Sequence, residues 1–305
     1  MDKPWTNYCL MSIVHFMAFP ETAFGEGPVV ETMMRIAEDP FFGAIEIGCI
    51  KDPTVRAQAK NVIQMAHIQV CHVAGAILLQ QKLNLNSLCE TERMKAVEQL
   101  YRNVDEAAEV GAKRVGFVSG ADPGDTDRPR ALEAFAKSVK QAAAYARDRG
   151  IALVLETFDR AIDRKRLIGP CALAADFCAM IREDYPDFGL LYDQSHMPLL
   201  FETPEYALDT LKNHLVHVHL GNAVLGPQTP GYGDSHPRFG WPGGANDTPQ
   251  VIDFIRALFK VGYLSENRST RPWVGFEVKP QSADEPSSLV IANAKRVWQE
   301  AWSQA

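Results

Sequence analysis

The chain switches eight times between two hydrophobic periodicities, and that alternation leaves few folds open to it. Short apolar, β-rich runs fall at residues 9–17, 44–50, 68–74, 114–119, 152–158, 188–194, 215–221 and 273–279. After each one, apolar residues recur at helical spacing, over 28–39, 53–66, 90–111, 128–149, 171–184, 204–213, 247–261 and 286–303. In the fourth of these, Leu132, Phe135, Val139, Ala142, Ala143 and Ala146 share one face, and Gly150 marks a stop. A strict strand-then-helix order predicts a parallel sheet wrapped by helices. Eight units is also the number that closes a (β/α)8 TIM barrel, an α/β fold. No repeat, low-complexity tract or Pro/Ser-rich linker interrupts the series, so residues 1–305 read as one domain.

Composition narrows the partners. The 305 residues carry a formal charge of −7 with no basic stripe, which argues against nucleic acid and suits a polar small molecule. No run approaches the roughly 18 apolar residues that span a bilayer, so no membrane association is expected. Cys9, Cys49, Cys71, Cys89, Cys171 and Cys178 lack CxxC spacing, and several sit in apolar runs. This predicts free thiols and a cytoplasmic location.

Four of the strand-like runs end on a potential metal ligand: Glu156 in LVLE, Asp193 in LLYD, His219 in VHVH and Glu277 in VGFE. The C-terminal ends of barrel strands meet at one mouth, so these four groups are expected to converge. Three carboxylates and one imidazole form an oxygen-rich set suited to Mn²⁺, with Mg²⁺ or Co²⁺ as alternatives. His217 lies two residues before His219 on the same strand face and is expected a layer deeper. His196, three residues past Asp193, is placed facing substrate.

Other groups are candidates for the pocket. Glu46, His15 and His72 sit within strand runs and would line its floor or rim, with a purely structural role equally open for each. Lys279 follows Glu277 by two residues and would pair a carboxylate or a substrate oxygen. The connection Asn222–Asn246 carries six Gly and four Pro with Tyr232, Asp234, His236, Arg238, Phe239 and Trp241. Connections in βα units take about 2–6 residues, so this one reads as a lid or substrate wall, the alternative being a surface insertion. His236, Arg238 and Trp241 are its candidate substrate contacts. No GxSxG elbow, P-loop or GxGxxG is present.

Taken together, Glu156 in LET, Asp193 and His196 in a D-x-x-H run, His219 in HVHLGN and Glu277 in FEV resemble the xylose isomerase-like barrel superfamily over essentially the whole chain. The resemblance implies a sugar isomerase or epimerase in which the matching Glu, Asp, His and Glu bind a divalent ion and the two Glu also act as acid and base. Proton abstraction α to the carbonyl of a keto-sugar is the expected step, with Glu156, Glu277 and His196 as candidate catalytic groups. The chain departs from ketose epimerases in its long loop and in lacking an arginine shortly after His219. That loop is similar to the catalytic subunit of C-glycoside deglycosidases. This branch implies a lyase cleaving the C–C bond of a 3-oxo-C-glycoside, in an oligomer with a small second subunit. A non-catalytic sugar-binding barrel is the third reading.

Overall fold

A computed structural model describes residues 3–305. Eight parallel strands run β1 Leu10–Ile13, β2 Ala44–Ile47, β3 Gln69–Val73, β4 Arg114–Val118, β5 Ala152–Glu156, β6 Gly189–Asp193, β7 Leu215–Gly221 and β8 Trp273–Glu277. They hydrogen-bond in the order β1-β8-β7-β6-β5-β4-β3-β2. The seam between β1 and β2 is closed by a bridge from Val14 to Glu46 and by Gly43 N–H donating to the Met11 carbonyl at 3.0 Å. The chain is therefore a single (β/α)8 barrel.

Eight outer helices follow: α1 Val29–Ala37, α2 Pro53–Ala66, α3 Glu90–Val110, α4 Arg128–Arg147, α5 Cys171–Arg182, α6 Pro204–Leu211, α7 Thr248–Lys260 and α8 Ser287–Gln304. Their ends follow local chemistry. Pro53 sits at the first position of α2 with Asp52 accepting from Thr54 N–H, and Asp247 closes a capping box with Gln250 on α7. Gly111, at φ 85°, ends α3 in the left-handed conformation that only glycine adopts cheaply.

Between strands and helices lies the main core. Inside the barrel, a smaller apolar layer of Leu10, Ala44, Cys71 and Trp273 fills its lower end. Strand side chains alternate, so Ser12, Glu46, His217 and Gly275 sit one step above that layer, while His72 must point the other way, into the helix layer. His15 is not on a strand. β1 stops at Ile13, and His15 opens a short helix with Nε2 2.8 Å from Thr32 Oγ1. No helix among the described residues is long and apolar enough to cross a membrane. All six cysteines are free thiols.

Phe135 of α4 stacks on Phe177 of α5 with ring centres 4.9 Å apart and is fully buried. Phe135→Ala is expected to cost about 3–5 kcal/mol, measured by urea denaturation.

Candidate metal centre

β5, β6, β7 and β8 are consecutive neighbours in the barrel, and each brings one ligand to the mouth. Glu156, Asp193, His219 and Glu277 each offer one atom, all within 4.8 Å of one another. The bulge between Leu190 and Leu191 shifts the β6–β7 register so that Asp193 pairs with His219. Nδ1 of His219 lies 2.7 Å from Glu277 Oε2, 3.8 Å from Asp193 Oδ2 and 3.9 Å from Glu156 Oε1.

The other face of that imidazole is held from below. Nε2 of His219 is 2.9 Å from Glu46 Oε2, while Glu46 Oε1 takes a hydrogen bond from Ser12 Oγ at 2.7 Å and lies 3.2 Å from His217 Nε2. Glu46 is fully buried. Its carboxyl still sits well below the ordinary range, because burial, which pushes it up, is outweighed by the charges of His217 and His219. Of the two roles open to Glu46, pocket lining or structural, the geometry matches the second: it sits beneath His219, holds the ring and is not part of the cavity lining. Gly275 makes room for this brace, since a Cβ there would lie 2.4 Å from Glu46 Oε1 and 2.9 Å from His219 Cδ2.

Three carboxylates share this small volume with one imidazole, and the cost shows in their protonation. Burial and the nearby Glu277 charge push Glu156 above the ordinary carboxylate range, and burial also raises Asp193. Glu277 stays low: burial opposes it, but His236 and His219 more than compensate. Glu156 Oε1 and Asp193 Oδ2 are buried without a hydrogen-bond partner, although Asp193 Oδ1 accepts from Ser195 N–H at 2.6 Å. Buried carboxylate oxygens left unpaired are costly. A hard donor set with two such oxygens fits a divalent cation, and Glu156, Asp193, His219 and Glu277 would hold it.

A second cluster adjoins the first. Asp234 Oδ1 lies 2.9 Å from His236 Nε2 and 3.2 Å from His196 Nε2, and Asp234 Oδ2 accepts from Arg164 Nε at 2.9 Å. His196 Nδ1 donates to the Thr157 carbonyl at 2.6 Å. Burial disfavours the charged rings, but the Asp234 charge prevails and lifts His196 to about 10 and His236 to about 9. Arg164 reaches this carboxylate because Asp159 accepts from the backbone N–H groups of Ile162, Asp163 and Arg164 and folds their loop inward.

A cavity of about 560 Å³ opens at this mouth. Glu156, Glu277, Asp234, His236, Arg164 and Lys279 form its polar side. Phe16, Met17, Phe24, Leu79 and Phe158 supply much of its apolar lining. Of the sequence candidates, His236 and Lys279 thus reach the cavity. His196 is fully buried, its ring 4.2 Å from that of Phe158, and is not part of the lining. His72 lies in the helix layer, 3.5 Å from Glu106. Arg238 pairs with Glu285 at 3.2 Å and lies over the Trp241 ring, whose Nε1 donates to the Pro230 carbonyl. Neither of them lines the cavity. The long loop is a folded wall. Asn222 Oδ1 accepts from Asn246 N–H at 2.8 Å, and Asn246 Nδ2 donates to the Gly221 carbonyl at 2.8 Å, tying the loop's two ends together. Sequence reasoning missed Arg164 and the apolar wall, which lie outside any strand-end pattern, and it noted Asp234 without giving it a site.

These shifts carry a sign that can be tested. Folding raises both imidazole pKa values, so the protonated pair stabilises fully below the unfolded value of 6.5, and this contribution is lost as pH climbs through about 9 and about 10. In chelator-treated protein, Asp234→Asn is expected to lower the stability at pH 6.5 and to flatten its decline up to pH 10. Urea denaturation across that range, with NMR titration of the ring protons, measures both effects.

Several solved structures share this architecture. "L-ribulose 3-epimerase" aligns over 97% of this chain and 96% of its own at 17% identity and TM-score 0.71. The D-psicose 3-epimerase of Clostridium cellulolyticum H10, solved with D-tagatose, aligns over 96% of each chain at 19% identity and TM-score 0.64. The IOLI protein, described with a binding zinc atom, covers 97% of this chain and 98% of its own at 14% identity and TM-score 0.72. At these identities the likeness speaks for the fold alone. No curated protein matches the chain by sequence. The model of the xylose isomerase-like TIM barrel family matches residues 42–292, and the chain belongs to that family.

Proposed function

We propose that the protein is a divalent-metal-dependent isomerase or epimerase of a keto-sugar, working by proton transfer at the carbon next to a carbonyl. One observation carries this reading. Of the four clustered ligands, only Glu156 and Glu277 also front the cavity, whereas Asp193 and His219 are closed off behind them. Two residues therefore combine a ligand position with access to substrate. Among known structures, the resemblance to a D-tagatose 3-epimerase-like protein, a D-psicose 3-epimerase and an L-ribulose 3-epimerase supports the same substrate class.

Mn²⁺ is the preferred ion for this oxygen-rich set, and when bound it would polarise the substrate carbonyl. The rest of the chemistry falls to side chains. One of the two glutamates takes the proton from the α-carbon, and the C–H electron pair moves into the adjoining C–O system as an enediolate. The other glutamate returns a proton. Delivery to the same carbon from the opposite face inverts it, and delivery to the neighbouring carbon isomerises the sugar. Arg164, His236 and Lys279 line the cavity, Arg164 and Lys279 as cations that can meet substrate oxygens, and the three favour the developing negative charge. In this scheme His196 acts at one remove, holding Asp234 and through it His236.

A second reading is favoured by the wall of Phe16, Met17, Phe24, Leu79 and Phe158. A free sugar makes little use of so much apolar surface, whereas a 3-oxo-C-glycoside could set its aglycone against it. One glutamate would then take the proton α to the carbonyl, the C–H pair would form the new C=C bond, and the aglycone carbon would leave with the electrons of the broken C–C bond and take a proton from the other glutamate, a lyase reaction.

Incubation of Mn²⁺-loaded protein in D₂O with free ketoses and with a 3-oxo-C-glycoside separates these readings by mass spectrometry. Deuterium in recovered ketose without cleavage is the expected result, while aglycone release would replace the epimerase reading with the lyase one. Glu277→Gln is expected to remove exchange by at least about 10²-fold, in keeping with loss of a general acid–base group. Gly275→Ala, which crowds Glu46 and His219, is expected to weaken Mn²⁺ binding by about 10–100-fold, the usual effect of disturbing a ligand's hydrogen-bonded support. Competition with a chelating indicator measures that loss, and unchanged affinity would separate the brace from the metal.

A further inference from the structure

A buried group outside the mouth has no use in the chemistry above. His72 of β3 is fully enclosed, and neither of its ring nitrogens has a hydrogen-bond partner. Alternation on β3 sends Cys71 into the barrel and His72 outward, toward α3. There it meets Cys49, on the connection after β2, and Glu106 of α3, with one donor atom of each residue within 4.8 Å of the others. Nε2 of His72 lies 3.5 Å from Glu106 Oε1, beyond a good hydrogen bond. We propose that Cys49, His72 and Glu106 form a second metal site, of zinc type, between β3 and α3 and sharing no residue with the cluster at the mouth.

The chemistry of the three groups sets the ion. A thiolate, an imidazole and a carboxylate are the ligands that zinc combines, and three protein ligands leave a fourth position for water. One hydrogen bond is already in place for a thiolate. Asn103 Nδ2 donates to Cys49 Sγ at 2.9 Å, and Gln99 Nε2 in turn donates to Asn103 Oδ1 at 3.1 Å, so one face of α3 supports the sulfur. Glu106 is steadied by accepting from Ile50 N–H, the residue next to Cys49. Burial and the Glu106 charge push the free thiol up to about 12, so binding of Zn²⁺ near pH 7 would displace the thiol proton to solvent. Cys49 is only partly covered, which leaves a way in for the ion. Such an ion would cross-link the connection after β2, strand β3 and helix α3, adding to the hydrogen bonds that already tie that connection to α3.

The test exploits sulfur, which the cluster at the mouth does not have. Chelator-stripped protein is loaded with Co²⁺ and its spectrum is compared between wild type, Cys49→Ser and His72→Asn, with near-ultraviolet circular dichroism checking the fold of each. A thiolate-to-cobalt charge-transfer band is expected in the wild type and is expected to vanish in Cys49→Ser, while the visible ligand-field bands from the oxygen-rich cluster persist. Zinc content by mass spectrometry should fall by one equivalent per chain in the same variant. Absence of the band in wild type, or its persistence in Cys49→Ser, would overturn the proposal. Should His72→Asn fail to fold, Cys49→Ser decides alone. None of these readouts depends on the reaction proposed above.

Discussion

Everything at the barrel mouth depends on the direction in which one imidazole faces, and that direction is set by a carboxylate with no contact to solvent. Glu46 accepts from Ser12 on β1 and meets both histidines of β7, so it joins three strands inside the barrel. Because Nε2 of His219 is taken by Glu46, Nδ1 is left to face Glu156, Asp193 and Glu277. A ligand ring held on its far side keeps its tautomer and angle, which is the usual route to a preorganised metal site. Glycine at position 275 is part of the same arrangement, for no side chain fits between β8 and the brace.

The charges around this ring are not balanced within the cluster itself. Three carboxylates exceed what His219 offsets, and burial together with the Glu277 charge raises Glu156 and Asp193. The neighbouring set is inverted: around Asp234 lie two imidazoles and a guanidinium. His236 belongs to both, lying 3.7 Å from Glu277 as well as 2.9 Å from Asp234. The long loop is thus anchored electrostatically at Asp234 and His236 and by hydrogen bonds at Asn222 and Asn246, and its backbone takes φ 51° at His236 to bring that ring inward.

Periodicity made the fold legible: all eight strands and all eight outer helices lie where the alternation put them, with boundaries that differ by a few residues. The convergence of Glu156, Asp193, His219 and Glu277 was legible for the same reason, since strand ends of a barrel share one mouth. What periodicity left open was the role of residues whose facing depends on strand parity. Cys71 and His72 are adjacent and must point to opposite sides, so only one of them can look inward, and the apolar layer with Leu10, Ala44 and Trp273 claims Cys71. Glu46 does look inward, one layer below the ligands, and is not part of the cavity lining. Arg238 and Trp241 were chosen for residue type on a loop whose path no local pattern encodes, and they pack on Glu285 and Pro230 instead. Arg164 escaped notice because its position comes from Asp159 gathering three backbone N–H groups, a turn without a periodic signature.

The same parity argument explains why this barrel presents two kinds of buried histidine. On β7, His217 and His219 face inward and Glu46 partners both through Nε2, so each has at least one ring nitrogen compensated where it stands, although His217 Nδ1 has no partner. On β3, His72 faces outward and meets Cys49 and Glu106 with its hydrogen-bonding capacity unused. An apolar residue on that outward face could be buried without desolvating a ring nitrogen, as Val70 is two positions earlier on the same face. A polar group retained at such a cost calls for a partner that recovers it, and a metal ion between a thiolate, an imidazole and a carboxylate would do so within the space these side chains already enclose.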